Sequence, residues 1–502
     1  MNKLKTIVSS NYFFVAIVLY YSLFYVLFGE QYPFKAGFST DGRVYESIVF
    51  SFSQSYYFDS YYIHRILPSL IIRISFNLFS IDMTEANILF AFQILNIVSL
   101  VISSYFLKKI FLILKISLKS QLLFFIMFLF NFGVIKYQFY FPSMTDQLAL
   151  MLSTLLLYFY LRNNVAGLVI STIALAFTWP MAYYLGLILI ALPFAVLPYS
   201  QASKLQKKAV YSISVLYILI LSTIIVFILN LDIKVAFVAK IDRGWLALPL
   251  SIAGIATIYF FFGKLFLNKA LFNVLLFIKK IDYKRLAISG IVFITVYLII
   301  GALHPKPTFL YSISQTLIDP VLYSFIKPLI TIVADVSYFG VLICLLILFW
   351  NSFCKIASQM GWGIVIAMGL NLFLFGLAPQ SRHLINLLPW LIVILAKALD
   401  KYSFPNHFYI IVGILSIIAS KVWLPLNIYD YYKTMAPTDE NGNIGFPDQI
   451  LWMNIGPWMD TQMYYVQGIA ALVIMAIFFL MLYKIEINKS NRIRLMRKFH
   501  VK

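Results

Sequence analysis

Apolar stretches long enough to cross a lipid bilayer recur along this whole sequence. The run ILFAFQILNIVSLVISSYFL at 88–107 is one example, and it contains no charged residue. A helix needs about 20 apolar residues to span the hydrocarbon core of a bilayer. With 62% hydrophobic and only 12% charged residues, a chain of 502 residues has too few charges to cover its apolar surface in water. The sequence therefore predicts an all-α, polytopic integral membrane protein.

We expect residues 1–502 to form one membrane unit with about thirteen or fourteen transmembrane helices. The first span is followed by LFGEQYPF, which has no small-residue cleavage site, so we expect it to stay uncleaved. Long outer segments are predicted at 30–86 and 426–463, a short or re-entrant helix at 66–80, and a basic tail at 485–502. The predicted spans are 12–29, 87–107, 120–135, 147–161, 164–179, 181–198, 209–229, 245–267, 286–303, 325–350, 361–377, 384–399, 407–425 and 464–484.

The net charge of +20 comes mainly from short basic segments between the predicted spans and from the C-terminal tail. Placing these segments in the cytoplasm satisfies the positive-inside rule, so the charge gives no reason to expect a nucleic-acid partner. Both termini are then cytoplasmic, as in a bacterial inner or plasma membrane, and the basic tail is able to contact anionic membrane lipids. Most acids fall on the opposite side. This bias predicts that the chemistry lies on the extracytoplasmic face.

The segment FSTDGRVYESIVFSFSQSYYFDSYYIHRILPSL, residues 38–70, brings many polar groups together directly after the first span. From 43 to 52 the apolar residues recur at helical spacing, which predicts a short amphipathic helix at the outer membrane surface. Asp41 lies at its start, and Glu46 lies just over one turn later. Helix capping and solvation would explain both acids, but a carboxylate close to a bilayer usually has a partner or a function. Arg65 at the membrane favours a phosphate or a carboxylate.

Other polar residues at predicted helix ends are candidates for the same outer site. Asp146 opens a span after FPSMT, and a capping role together with Thr145 would explain it without a function. Arg382 begins another span, where a positive charge opposes the helix dipole, so phosphate binding or an ion pair is a better explanation. Asp335 is an acid inside a predicted span and therefore a further candidate. Basic and imidazole side chains near these segments complete the set of candidate ligands: His64, His304 and Lys306.

An acidic first outer segment on a short interfacial helix resembles the GT-C superfamily of polytopic membrane glycosyltransferases. TDGRVYESI followed by YYIHRILPSL carries that resemblance. FPSMTDQLALMLSTLLLYFYLRNN, with its acid opening a span, resembles the second acidic position that many members have. The resemblance implies a GT-C-like fold and an enzyme that takes a sugar from a polyprenyl-phosphate donor. The acceptor would be a hydroxyl of a glycan or of a lipid-linked molecule outside the cytoplasm, in cell-envelope glycan synthesis.

Inverting transfer from such a donor needs a carboxylate that removes the proton of the acceptor hydroxyl. The resemblance implies Asp41 as the leading base, with Glu46 or Asp146 as second candidates. It also implies cationic ligands for the phosphate, with Arg65 and Arg382 leading. His64, His304 and Lys306 are further candidate ligands of the phosphate or the sugar. No metal-binding motif is present, but members of the superfamily differ in metal use, so an Mg²⁺ or Mn²⁺ ion between the two aspartates is allowed.

Two other functions fit a chain of this kind. A polymerase of O-antigen or capsule repeat units would have a similar number of spans, and its outer arginines would matter more than Asp41. A flippase or secondary transporter would show repeat symmetry between its halves and polar residues at the middle of the membrane. The polar residues of this chain crowd one face instead, so transport is the weakest of the three hypotheses.

Overall fold

The structure is a computed structural model that describes residues 10, 12–33, 37–38, 40–52, 60–230, 245–303, 322, 324–377, 380–427 and 453–499. These residues form helices together with two isolated β-bridges. In chain order the helices are α1 Phe13–Phe28, α2 Thr40–Phe50, α3 Ser60–Ile63, α4 Leu67–Phe79, α5 Glu85–Ile113, α6 Leu118–Leu129, α7 Gln138–Tyr140, α8 Asp146–Leu161, α9 Val165–Ala176, α10 Pro180–Ala191, α11 Lys204–Asn230, α12 Ala247–Gly263, α13 Val274–Lys280, α14 Tyr283–Leu303, α15 Ile330–Phe339, α16 Val341–Leu348, α17 Trp350–Gln359, α18 Trp362–Phe375, α19 Leu388–Leu399, α20 Asn406–Ala419 and α21 Thr461–Phe499.

Every predicted span contains at least one of these helices, so the helical class is confirmed. Within the described ranges, six helices are long and apolar enough to cross a bilayer, or up to eight if two bent pairs each form one span. Eight further apolar helices are shorter, at 10–17 residues. The fold is therefore consistent with a polytopic membrane protein, and the number of about thirteen spans stays a prediction.

The predicted span 325–350 is not one continuous helix. Leu329 has a φ of 54°, and α15 begins directly after it. Gly340 then separates α15 from α16 with a φ of 64°, in the left-handed region that favours glycine. Between α16 and α17 the chain bends by a further 82°. Hydropathy averages over such breaks because the apolar composition continues through them.

Helix α19 lies at the centre of the bundle. In the most apolar stretch of the segment Ser381–Leu399, 89% of the residues are buried inside the protein. The buried share of the corresponding stretch is 11% in α21 and 17% in α14. Trp390 on α19 is fully buried, and its indole N–H donates to the Ser153 hydroxyl of α8 at 3.0 Å. The outer helices α14 and α21 expose large apolar side chains, which is what a lipid solvent allows.

Two ends of the bundle differ in chemistry. At one end, the start of α4 is joined to the end of α9, because the N–H of Leu67 donates to the carbonyl of Phe177 at 2.9 Å. At the other end, Arg285 at the start of α14 contacts the carbonyl of Asn163, just after α8. We call this second end the lysine-rich end, because it holds the basic segments Lys108–Lys119, Lys204–Lys208 and Lys279–Arg285.

Two helices predicted in the first outer segment are present in the structure, and they pack together. The helix predicted from 43 to 52 is α2, and the helix predicted at 66–80 is α4. Ser69 of α4 donates from its hydroxyl to the carbonyl of Tyr45 at 2.9 Å, and Arg73 donates to the carbonyl of Val49 at 2.7 Å. These bonds fix α2 at the end of the bundle where Leu67 meets Phe177. The position of α2 at a membrane surface stays a prediction.

Candidate functional site

Asp41 and Arg382 form an ion pair although they are 341 residues apart in the sequence. Asp41 lies in the first turn of α2, and Arg382 lies in the short 3₁₀ helix Ser381–Leu387 that precedes α19. The Nη2 atom of Arg382 is 3.4 Å from the Oδ2 atom of Asp41. The Asp41 side chain is 22% exposed and that of Arg382 10%. The leading base candidate therefore lies against a cation at the edge of the protein interior.

A segment close to the C-terminus holds Arg382 in this position. The backbone N–H and the hydroxyl of Ser381 both donate to the carbonyl of Asn454, at 3.3 and 3.2 Å. Gln380 forms a β-bridge with Ile455, and its side-chain oxygen accepts from Nε of Arg382 at 3.4 Å. The end of the predicted last outer segment is thus part of the site.

Asp146 is the second carboxylate beside Arg382. It is the first residue of α8 and has 0% exposure. The capping explanation is wrong, because the Thr145 side chain makes no capping bond and neither Asp146 oxygen bonds another residue of the described chain. Asp146 interacts electrostatically with Arg382 and Arg65. A buried carboxylate that lacks hydrogen-bond donors is stabilised mainly by such nearby cations.

Arg65 makes cation–π contacts with two aromatic rings. Its guanidinium carbon lies 4.2 Å from the ring centre of Tyr61 and 4.3 Å from that of Trp179. The residue is 3% exposed, and its Nε has no hydrogen-bond partner within the described chain. Rings at these distances hold the guanidinium by cation–π contact, and its N–H donors point outward in the guanidinium plane. This geometry suits a planar or tetrahedral oxyanion approaching that edge.

We call Asp41, Arg65, Asp146 and Arg382 the charge cluster. Its two carboxylates and two guanidinium groups sum to zero formal charge. Two buried tyrosines lie beside it, and both interact electrostatically with Asp146: Tyr137 and Tyr338. Tyr137 ends the π-helical segment Phe132–Tyr137, a rare backbone form that is often found at functional sites.

The donor set of the charge cluster suits an anion better than a divalent cation. Mg²⁺ takes oxygen ligands in octahedral geometry, and here each carboxylate already lies near at least one arginine. The ranges that the structure describes contain no group of three or more acidic, histidine or cysteine side chains able to hold a metal. We therefore assign no step to the Mg²⁺ or Mn²⁺ ion that the resemblance allows.

Glu46, the second-choice base, belongs to a different ion pair. Five residues along a helix correspond to a rotation of about 140°, so Glu46 and Asp41 project from different faces of α2. The guanidinium of Arg43 contacts Glu46 at 2.8 Å and Glu85 at 2.9 Å. Burial raises the pKa of Glu46 from its ordinary value, and the hydrogen bond from Arg43 opposes that shift. The structure does not bring Glu46 together with Arg382.

The remaining candidates lie apart from the charge cluster or outside the described residues. His64 is next to Arg65, but its Nδ1 lies 3.4 Å from the carbonyl of Ala176. Burial lowers the pKa of His64, so the imidazole is neutral at pH 7. Asp335 is 4% exposed and lies close to Ser381, one residue before Arg382. His304 and Lys306 lie outside the described residues.

Four aromatic residues of the site were missed in the sequence analysis: Tyr61, Trp179, Tyr137 and Tyr338. Tyr61 lies four residues before Arg65 in SYYIHR, and this spacing on a helical turn was a usable signal. Trp179 lies in TWP at the turn between α9 and α10, where it is fully buried. A fully buried tryptophan in a turn is uncommon, and it indicates that another side chain packs against its ring, here that of Arg65.

Comparisons with protein-family models, with curated protein sequences and with solved structures found no match to this chain. The resemblance to the GT-C superfamily therefore stays a prediction from the sequence. What the protein does has to be inferred from the side chains of the charge cluster.

Proposed function

We propose that this protein is a GT-C-type membrane glycosyltransferase. It transfers a sugar from a polyprenyl-phosphate donor to an acceptor hydroxyl on the extracytoplasmic face, in cell-envelope glycan synthesis. The observation that carries the proposal is the ion pair between Asp41 and Arg382, beside the ring-contacting Arg65 and the buried Asp146. A partly exposed carboxylate next to two arginines supplies both a base and a phosphate site.

The transfer is a displacement at the anomeric carbon of the donor sugar. The acceptor oxygen forms the new bond to that carbon as the bond to the phosphate oxygen breaks. The electron pair leaves with the polyprenyl phosphate, and the acceptor proton goes to a carboxylate. Asp41 suits this role better than Asp146, because its side chain is 22% exposed whereas Asp146 is completely buried. Asp146 is a positioning residue that holds the arginines.

The two arginines stabilise the phosphate that leaves. Charge-assisted bonds from guanidinium to phosphate are among the strongest hydrogen bonds in proteins. Arg382 contacts Asp41 at 3.4 Å, a long distance for such a pair, so a phosphate oxygen is able to compete for the guanidinium. That competition releases Asp41 to accept the proton. The polyprenyl chain stays in the bilayer beside the exposed apolar helix faces.

A polymerase of glycan repeat units is the second candidate. It is favoured by the same two arginines, which are both at least nine-tenths buried and come from opposite halves of the chain. The two proposals differ in the base. A glycosyltransferase of the proposed kind needs the Asp41 carboxylate, whereas the polymerase hypothesis places the main requirement on Arg65 and Arg382.

The experiment compares two acid-to-amide variants of the same helix. Asp41→Asn and Glu46→Gln are purified with the wild type, reconstituted in nanodiscs, and given a panel of synthetic polyprenyl-phosphate monosaccharides together with a panel of hydroxyl-bearing glycan and lipid-linked acceptors. Release of polyprenyl phosphate is followed by thin-layer chromatography. Loss of a general base lowers the rate by about 100-fold or more, so we expect that loss for Asp41→Asn. Glu46→Gln, outside the charge cluster, should keep the rate within about threefold.

Equal rates for Asp41→Asn and the wild type would remove Asp41 as the base. If Arg65→Lys and Arg382→Lys then abolished turnover while Asp41→Asn stayed active, the polymerase would become the better explanation. If the wild type released polyprenyl phosphate from none of the donors, the transferase proposal would be overturned. A flippase or secondary transporter would then be the better hypothesis.

A further inference from the structure

A basic cavity lies at the lysine-rich end of the bundle. The charge cluster lies at the other end, where Leu67 meets Phe177. Its volume is about 320 Å³, and it lies between the start of α11, the segment that follows α12, and α17. Three lysines from these three elements line it: Lys207, Lys264 and Lys355. None of its lining residues is acidic. The cavity therefore has an uncompensated positive charge.

Asn268 gives this cavity a fixed hydrogen-bond donor. Its Oδ1 accepts from the backbone N–H groups of Ser200 and Ala270, both at 3.2 Å. An atom that accepts two N–H hydrogen bonds must be the amide oxygen, so the other atom of the side-chain amide, Nδ2, is the NH₂ group. That Nδ2 is buried, the residue is 1% exposed, and no partner for Nδ2 lies in the described chain. A buried donor beside three ammonium groups fits an anionic ligand.

The wall that carries Asn268 is held by backbone bonds. Gln201 and Asn268 form an isolated antiparallel bridge. The N–H of Ala202 donates to the carbonyl of Leu267 at 3.0 Å, and the N–H of Lys269 donates to the carbonyl of Ser200 at 2.8 Å. The donor position is thus built by the fold and does not depend on the conformation of a long surface side chain.

An apolar surface groove of about 530 Å³ runs along α11. Tyr211 lines both this groove and the cavity. The groove residues follow one stripe of the helix, and the stripe runs about 12 Å from Tyr211 to Leu219 at 1.5 Å per residue. Leu216 and Leu219 are 59% and 58% exposed, so nothing in the described chain covers them. The full stripe is Lys208, Tyr211, Ser212, Val215, Leu216 and Leu219.

We propose that this cavity and groove bind one anionic phospholipid of the adjacent leaflet. The phosphate lies among Lys207, Lys264 and Lys355 and accepts a hydrogen bond from Nδ2 of Asn268. One acyl chain lies along the α11 stripe. Lysines next to a membrane attract anionic headgroups, and the apolar groove gives the lipid an advantage over a soluble phosphate. This site is separate from the charge cluster and does not depend on the proposed transferase activity.

The test uses Asn268→Asp in the full-length protein. An aspartate keeps the oxygen that accepts from Ser200 and Ala270, but it replaces the NH₂ donor with a negative charge. The matched control is Asn273→Asp, at the same end, because Asn273 caps α13 through its oxygen and does not line the cavity. A second pair changes charge on one turn of α11: Lys207→Glu inside the cavity and Lys204→Glu outside it.

Binding is measured by native mass spectrometry in detergent with dioleoylphosphatidylglycerol, with dioleoylphosphatidylcholine, and with inorganic phosphate as competitor. The wild type should retain phosphatidylglycerol in preference to phosphatidylcholine. Asn268→Asp and Lys207→Glu should each weaken that binding by about tenfold, and the two controls should leave it unchanged. Equal binding by the cavity variants and their controls would overturn the proposal. Displacement of the lipid by millimolar phosphate would overturn the assignment to a phospholipid and leave a soluble anion as the ligand.

Discussion

Replacing Asp146 with asparagine should destabilise the protein by removing one charge from the buried charge cluster. The cluster sums to zero with Asp41, Asp146, Arg65 and Arg382 ionised, and Asp146→Asn leaves it at +1. Asp146 has 0% exposure and the Arg382 side chain 10%, so water screens the remaining charge poorly. Breaking a buried pair by removing one partner costs about 3 kcal/mol, or about a 100-fold change in the folding equilibrium.

The assay is reversible unfolding from mixed micelles, with sodium dodecyl sulfate as the denaturant and circular dichroism as the signal. The control is Asp335→Asn, another acid in the interior, at 4% exposure. Asp335 has no ion-pair partner within the described chain, so its replacement by an amide of similar size breaks no buried charge pair. Asp335→Asn should therefore change the free energy of unfolding by less than about 1 kcal/mol.

The double variant Asp146→Asn, Arg382→Gln tests whether charge is the cause. It leaves Asp41 and Arg65 as a balanced pair, so its loss of stability should be smaller than the sum of the two single losses. We expect a coupling energy of about 1 to 3 kcal/mol. Additive losses would refute the reasoning. So would an Asp146→Asn variant as stable as the wild type, because the carboxyl group would then be uncharged in the native protein.

Three further predictions follow from single contacts. Trp179→Leu removes one of the two rings in contact with Arg65, so it should raise the KM for the proposed polyprenyl-phosphate donor by about fivefold with a smaller effect on kcat. Burial lowers the pKa of His64 below its ordinary 6.5, so its contribution to stability is present above pH 6.5 and is lost as pH falls toward the lowered pKa. Unfolding curves of His64→Gln should therefore depend less on pH in that window. Gly361 has a φ of 103°, and an added Cβ would lie 2.6 Å from the carbonyl oxygen of Ala195, so Gly361→Ala should cost about 2 kcal/mol.

Each of these has a matched control. Trp390→Leu also empties a buried tryptophan site, but away from Arg65, and a KM raised equally by both variants would show that packing is the cause. A pH dependence identical in His64→Gln and the wild type would contradict a buried neutral imidazole. Gly290→Ala adds a methyl group within α14 where nothing lies within 4 Å, so it should be neutral or stabilising. Equal stability of the two alanine variants would refute the strain at Gly361.

Most helices of this protein were predictable because hydropathy reports burial in an apolar environment directly. The predicted spans 87–107 and 147–161 correspond to α5 and α8 within a few residues. The breaks were not predictable in the same way. Gly340, with a φ of 64°, divides a segment that is apolar on average although it contains Asp335. A Cβ at this glycine would lie 3.2 Å from the Cβ of Ala419, a residue far along the chain. Hydropathy carries no information on where a continuous apolar run changes direction.

The charged residues of the site were predictable from the sequence, but the contacts between them and their neighbours were not. Asp41, Arg65, Asp146 and Arg382 are unusual in so apolar a chain, and the cost of burying charge makes such residues candidates. Helical rotation alone would have separated Asp41 from Glu46, since five residues turn the side chain by about 140°. The contact of Trp179 with Arg65 depends on the docking of α4 against the end of α9, which no local pattern encodes.

The bonds from Ser381 to the carbonyl of Asn454 have a consequence for biosynthesis. A ribosome that has made Arg382 must still add more than 70 residues before the segment that holds it has emerged. Asp41 and Arg65 are inserted long before that moment. The charge cluster would therefore stay incomplete through most of translation, and a truncation before Asn454 would yield a chain that lacks the contact holding Arg382 in place.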